Sequence, residues 1–288
     1  MPLQAQVEAF FLPSASPADG QRFCLFHPAQ GSAMRGQVLY IHPLAEEMNK
    51  SRRMAAQQAR ALSAAGFAVL QIDLLGCGDS SGDFGDATWS AWVDDVLAAC
   101  RWLRSQRTSV SSAGSAKPVP LWLWGLRSGC LLATDAAPKL PEPCHFLFWA
   151  PAPAGKPLLQ QFLRLKVAGD MLTGSAKGVM DGLRRQLAAG DTVEVGGYAL
   201  NPALASALEL ASLNPPVRVA RLEWLELSTR ADATFAPVAI QSQARWQLVG
   251  HAVRSHLVTG PLFWQTAELE DAPALITATL AAMAEPMA

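Results

Sequence analysis

The sequence predicts an α/β chain with a mostly parallel eight-stranded sheet, flanked by helices and interrupted once by a helical insertion. Three observations carry this. Apolar runs suited to buried strands alternate with amphipathic helical segments through most of the 288 residues, as parallel strands joined by crossover helices require. The stretch LWLWGLRSGCLLA, residues 121–133, turns from an apolar run into a small-residue helical pattern between Gly125 and Gly129. Glycines two before and two after an apex mark a sharp strand-to-helix elbow, where any side chain would collide as helix and strand cross. Residues 153–216 break the alternation with helical pieces and turn signals, and a segment of that kind reads as a lid over the sheet.

Taken in order, residues 7–12 and 23–27 alternate as two antiparallel edge strands joined through a Pro/Ser/Asp/Gly turn. Residues 38–41 (VLYI) form a continuous apolar run, suited to a strand covered on both faces. A polar segment follows, and residues 51–65, rich in Ala, Arg, Gln and Met, predict a helix stopped by Gly66. Residues 67–73 give the next strand and lead into a loop containing Gly76, Gly78 and Gly82. Thr88 is placed to cap a helix whose apolar positions Trp89, Trp92, Val93, Val96, Leu97, Cys100 and Leu103 recur at intervals of three and four. A Ser/Ala/Gly/Lys linker over residues 109–118 precedes the elbow strand, and residues 145–149 form the strand after it. Within the insertion, residues 158–167 and 179–189 read as helices, with loop signals at Gly190, Gly196-Gly197 and Asn201-Pro202 and no convincing strand. The sheet resumes at residues 222–227, a helix spans 237–249, a last strand lies near 252–258, and residues 272–282 close the chain as a helix. The expected division is therefore a core over residues 1–152, a helical cap over 153–216 and the rest of the core over 217–288.

Half of the residues are apolar and 16% are charged, so a sizeable buried core is expected and disorder is not. A formal net charge of −1 supplies no electrostatic attraction for nucleic acid or an anionic membrane. No run approaches the roughly 18 apolar residues that a membrane helix needs. The N-terminal residues lack a basic stretch followed by a long apolar one, so no signal peptide is expected. The five cysteines are scattered without CxxC pairing or histidines at zinc spacing. They read as reduced, buried side chains of a cytoplasmic protein, and no cofactor or metal is expected.

The order of elements, with the elbow on the fifth strand and the insertion after the sixth, resembles the α/β-hydrolase fold. That resemblance implies a nucleophile at the apex, a histidine base after the last strand and an acid to orient it. Here the apex is Arg127, whose guanidinium cannot attack a carbonyl. Ser128 lies one place later: either it acts as nucleophile, or its hydroxyl caps the helix while its amide forms half of an oxyanion hole. The segment after the last strand, residues 259–265, contains no histidine, and His251 and His256 fall before or within that strand. Asp232 stands where the acid should be, with capping or pairing to Arg230 as its alternative role. The loop after the third strand brings His42, Leu44, Ala45, Glu46 and Glu47 toward the apex, with the second oxyanion amide from Leu44 or Ala45 and with His42 and Glu46 or Glu47 expected to help Arg127 hold an anionic or carbonyl substrate. An Arg127–Glu ion pair would tie elbow to loop; alternatively Arg127, at a helix N-terminus, binds a carboxylate or phosphate. Lys50, Arg52 and Arg53 read as a solvated helix start, and the glycines at 76 and 78 lack the Lys-Ser/Thr of a phosphate loop.

Residues 42–54 (HPLAEEMNKSRRM), 73–80 (DLLGCGDS), 125–129 (GLRSG) and the terminal Phe263-Trp264-Gln265 resemble the exosortase A system-associated hydrolase 2 family of bacterial α/β-hydrolase homologues. The resemblance runs from the first strands to the tail. It implies a cytoplasmic protein beside a PEP-CTERM protein-sorting and exopolysaccharide system. Its substrate would be an acyl ester or thioester, supplied as a small molecule or on an acyl carrier. Two roles follow: an acyl-acting enzyme with Ser128, Arg127, Glu47 and Asp232 at its centre, or an inactive homologue that binds an acyl group or a partner.

Overall fold

The computed structural model describes residues 6–14, 20–106, 119–172 and 178–284. The linker over 109–118 and the turn residues 15–19 lie outside the described residues. Eight strands form one sheet: β1 (Glu8–Pro13), β2 (Gln21–His27), β3 (Gly36–Ile41), β4 (Phe67–Ile72), β5 (Leu121–Leu126), β6 (His145–Trp149), β9 (Arg221–Ser228) and β10 (Ala252–Thr259). Their spatial order is β1-β2-β4-β3-β5-β6-β9-β10. β2 is antiparallel to β1 and β4, and the other neighbours are parallel. Every residue of β3 and β5 is buried, as continuous apolar runs covered on both faces require.

Helices α1 (Glu46–Ala64) and α8 (Pro273–Ala284) cover one face, with Met54, Leu62, Tyr40, Trp124, Trp149 and Leu275 in one apolar cluster. Helices α2 (Trp89–Ser105) and α3 (Ser128–Ala136) cover the other, where Trp92, Val96, Leu123, Leu131 and Phe148 pack together. Thr88 caps α2 as expected, its hydroxyl accepting from the Ala91 amide at 3.2 Å. Helix α7 (Pro237–Leu248) lies between β9 and β10.

Between β6 and β9 the chain forms α4 (Gly155–Leu172), α5 (Val179–Ala189), β7 (Val193–Val195), β8 (Tyr198–Leu200) and α6 (Pro202–Leu210). Three details differ from the sequence reading. A hairpin occupies the region expected to lack strands: β7 pairs with β8 around Gly196 and Gly197, both at positive φ (58° and 84°). Two positive φ values suit a tight two-residue hairpin turn, but strands of three residues are too short to show alternation. Asn201-Pro202, read as a loop, starts α6: the Asn201 side chain accepts from the Leu204 amide at 3.0 Å and proline takes the first turn. Helix α1 begins at Glu46 rather than Ser51, because Ala45 at φ 49° turns the chain directly into it. Acidic residues in a first turn complement the helix dipole, so Glu46 and Glu47 sit on a helix and not in a loop.

Candidate functional site

The elbow is built as its glycines require. Arg127 adopts φ 55° and ψ −115° between β5 and α3. A Cβ on Gly125 would lie 2.5 Å from the Cys130 nitrogen, and one on Gly129 would lie 2.2 Å from the Ile41 carbonyl oxygen. Both contacts fall inside van der Waals limits, so only glycine lets α3 pack against β3 and β5 here. The Arg127 amide donates to the Trp149 carbonyl at 3.0 Å and its carbonyl accepts from the Cys130 amide at 3.1 Å, pinning the apex from both sides.

The loop after β3 carries a second strained residue. Ala45 has φ 49° and ψ −123°, close to the Arg127 conformation, and precedes α1 as Arg127 precedes α3. Leu44 and Ala45 accept at their carbonyls from the Glu47 and Met48 amides (3.2 and 3.1 Å). Among the described residues, the amides of Leu44, Ala45 and Ser128 donate to no protein acceptor, leaving them free for an anion or carbonyl oxygen.

His42 takes a different role from the one expected. Its Nδ1 lies 2.8 Å from the Pro43 carbonyl, so it carries the proton, and its Nε2 accepts from the Leu74 amide at 3.2 Å. Both nitrogens are spent on backbone, and burial lowers the imidazole pKa. A neutral His42 therefore holds the loop after β3 to the chain after β4 and keeps no nitrogen for a substrate.

The apex side chain is held by a triangle. Arg127 Nε donates to Glu47 Oε1 at 3.2 Å, Arg127 Nη2 donates to Gln161 Oε1 at 2.8 Å, and Gln161 Nε2 donates to the same Glu47 oxygen at 3.1 Å. The Trp264 ring lies beside it, its centroid 5.8 Å from the guanidinium carbon, within cation–π range. The side chains of Arg127 and Glu47 are only 14% and 7% exposed. Burial raises the Glu47 carboxyl pKa against the opposing pull of Arg127. Burial also raises Glu46, whose Oε2 is enclosed without a hydrogen-bond partner. Gln161 from α4 was not singled out in the sequence, and Trp264 from the chain after β10 was noted there only for the family resemblance, not as a site residue. Nothing local marks Gln161, whereas Trp264 falls in the very segment searched for a base.

The parts of a catalytic triad do not come together. All five histidines have other partners. His27 pairs with Gln71, His42 with backbone, and His145 Nδ1 accepts from the Arg221 amide. His251 bridges Ala220 and Pro216, and His256 pairs with the buried Glu223 at 2.8 Å. Asp232, the expected orienting acid, has its side chain 75% exposed and pairs with Arg230 at 2.8 Å; it meets no histidine. Ser128 is buried at the first turn of α3, with no histidine or carboxylate bonded to its hydroxyl among the described residues. The basic run is not simply solvated, since Arg52 pairs with Asp73 (2.9 Å) and Arg53 with Asp271 (2.7 Å).

The chain can now be set beside known proteins. Residues 32–188, more than half of it, match the family described as serine aminopeptidase, S33. Protein ABHD12B of Homo sapiens is 31% identical over 105 residues, which is 36% of this chain and only 25% of that protein. Among solved structures, Est1E of Butyrivibrio proteoclasticus with ferulic acid bound superimposes with a TM-score of 0.66 at 13% identity, covering 96% of this chain and 98% of its own. A thermostable carboxyl esterase of Bacillus coagulans gives 0.58 at 14% identity, with 88% and 90% covered. An alpha-beta serine hydrolase homologue of Coxiella burnetii gives 0.55 at 14% identity, with 96% and 97% covered. The chain belongs to the serine aminopeptidase S33 family and has the α/β-hydrolase fold.

Proposed function

We propose that this protein holds the acyl end of a ligand at its elbow and does so without serine-based hydrolysis. The ligand class is an acyl group presented as a carboxylate, ester or thioester, free or on an acyl carrier. The observation that carries this reading is a strained elbow kept around a residue that cannot attack. A non-glycine residue at positive φ costs on the order of 1–3 kcal/mol, and both Arg127 and Ala45 accept that cost. Strain of this kind persists at ligand-holding sites, and here it adjoins the unpaired Ser128 and Ala45 amides while the nucleophile, base and acid are absent from their stations. Gln161 Oε1 occupies one face of the Arg127 fork. A ligand carboxylate would replace it, because it brings a full negative charge and two oxygens matched to the guanidinium fork, which a single amide oxygen lacks. Residues 153–216 then act as a lid that Gln161 ties to the apex. The likeness of residues 42–54 supports assignment to the exosortase-associated group, with the cytoplasm as site of action.

A second reading keeps catalysis and lets Glu47 activate a water; the burial that raises its carboxyl pKa favours it. One experiment separates the two. Short acyl esters and acyl thioesters are offered to the wild type, Arg127→Ala, Arg127→Ser and Glu47→Ala, with thermal shift measured in parallel against fatty acids and acyl-CoA. The binding reading expects no turnover above buffer in any protein, Arg127→Ser included because no histidine reaches the apex. It also expects ligand-dependent stabilisation of the wild type by mass action. Turnover lost in Glu47→Ala would establish the second reading, and a flat thermal response would overturn the first.

A further inference from the structure

In a serine hydrolase of this fold the chain after the last strand delivers the histidine base; here it delivers Phe263 and Trp264. Backbone bonds hold that segment in place. The Gly260 amide donates to the Ser228 carbonyl at 2.9 Å and the Gln265 amide to the Leu262 carbonyl at 2.8 Å. The Thr266 hydroxyl reaches the Glu268 carbonyl at 2.7 Å. Phe263 packs edge-on against the Trp264 ring at 5.0 Å. Trp264 is 3% exposed and flanks the Arg127 guanidinium.

Its indole N–H is the telling group. An indole can only donate, and a buried donor left unpaired costs about 1–3 kcal/mol. Trp89, Trp92, Trp149, Trp224 and Trp246 each donate to an oxygen. Trp264 Nε1 has no partner. Trp124 shares that condition, but it sits inside β5 between the Tyr40 and Trp149 rings. Beside the Arg127 guanidinium, then, lies a buried indole whose N–H is unused, while the Ser128 and Ala45 amides that flank the elbow and the facing loop are also unpaired. A group of donors with one cation calls for a ligand with two anionic acceptor oxygens.

Resting on the binding reading above, we propose that Trp264 contacts the ligand and sets its specificity. Its indole N–H donates to one oxygen of a bound carboxylate whose other oxygen takes the place of Gln161 on Arg127. The ligand is then a free acyl carboxylate in preference to its ester, because esterification removes the charge and turns one oxygen into a poor acceptor. No covalent step is involved.

The probes are a carboxylate series from acetate to octanoate and the matching methyl esters, titrated calorimetrically into the wild type and Trp264→Phe. Phenylalanine keeps an aromatic ring beside Arg127 and removes the N–H together with the pyrrole part of the indole. Alongside, the indole proton–nitrogen signal of Trp264, assigned by through-bond experiments in the wild type, is followed during titration, so a poorly folding variant cannot obscure the result. The expected outcome is preference for carboxylate over ester, a downfield shift of the Trp264 signal, and about tenfold weaker carboxylate binding in Trp264→Phe. Carboxylate binding with an unmoved Trp264 signal and equal affinity in the variant would overturn this inference and leave the binding reading standing. No binding of any probe to the wild type would overturn both.

Discussion

Replacing Gly129 by alanine would set a methyl carbon 2.2 Å from the Ile41 oxygen and 2.9 Å from the His42 oxygen, both of them backbone atoms that cannot rotate away. Relief would need α3 to move off β3, and both surfaces are fully packed. Gly129→Ala is therefore expected to destabilise the protein by about 3 kcal/mol or more, read from urea unfolding; a loss under about 1 kcal/mol would mean that the elbow yields more easily than its contacts imply. Sequence spacing made these glycines legible, because the clash belongs to the elbow itself and depends on few neighbours. Arg127 as apex residue followed from the same spacing, and of the two glutamates that could pair with it, Glu46 and Glu47, it is Glu47 that lies at 3.2 Å. Gln161 and Trp264 were not legible as site residues. Each reaches Arg127 across long sequence separations, and no residue type or interval announces such a meeting.

Single side chains also carry the joins between elements, and Asn201 is the clearest. Its Oδ1 caps α6 through the Leu204 amide, while its Nδ2 donates to the Gly85 and Ala87 carbonyls at 3.0 and 2.9 Å. One residue thus starts a helix of the inserted segment and fastens it to the chain before α2. Alanine there would lose the cap, worth about 1 kcal/mol, and leave two carbonyls without their donor. Asn201→Ala should cost about 2 kcal/mol in all and raise hydrogen exchange in α6 more than in the central strands; unchanged exchange in α6 would contradict the role. The sequence contained the start signal, Asn followed by Pro, but the same pair also marks turns, and the neighbouring glycines favoured the loop reading. Helix α1 was misjudged for a related reason. Its start depends on Ala45 accepting positive φ, and alanine gives no sign of a conformation that the surrounding fold imposes.

At the scale of the whole molecule, the sheet and its buried charges decide how stability responds to pH. The eight strands were legible because each is a dense apolar run or a clear alternation. The partners of buried charges were not, since most of them lie on another element: Glu223 of β9 is fully buried among Arg221 of its own strand and Arg254 and His256 of β10, and Arg22 of β2 meets Asp95 of α2 at 2.7 Å. Burial raises Asp95, Glu46 and Glu47, so the folded state keeps protons that the unfolded chain has released, and these groups make stability fall as pH rises above their unfolded values. His145 acts in the opposite sense. Burial, assisted by the charge of Arg221, lowers its pKa from 6.5 to about 4, and its Nδ1 must stay unprotonated to accept from the Arg221 amide at 3.0 Å. Between those two values the unfolded chain binds the proton and the folded one does not. The contribution of His145 is complete above pH 6.5 and is lost as pH falls toward 4. Partial exposure of the ring reduces the loss to on the order of 2 kcal/mol. His145→Asn keeps an acceptor for the Arg221 amide and removes the titration. The stability difference between wild type and this variant, measured by urea unfolding from pH 7.5 to 4, isolates the histidine from the opposing carboxyls shared by both proteins. The wild type should lose ground to the variant progressively below pH 6.5, and a difference that stays constant across that range would remove His145 from the account of acid sensitivity.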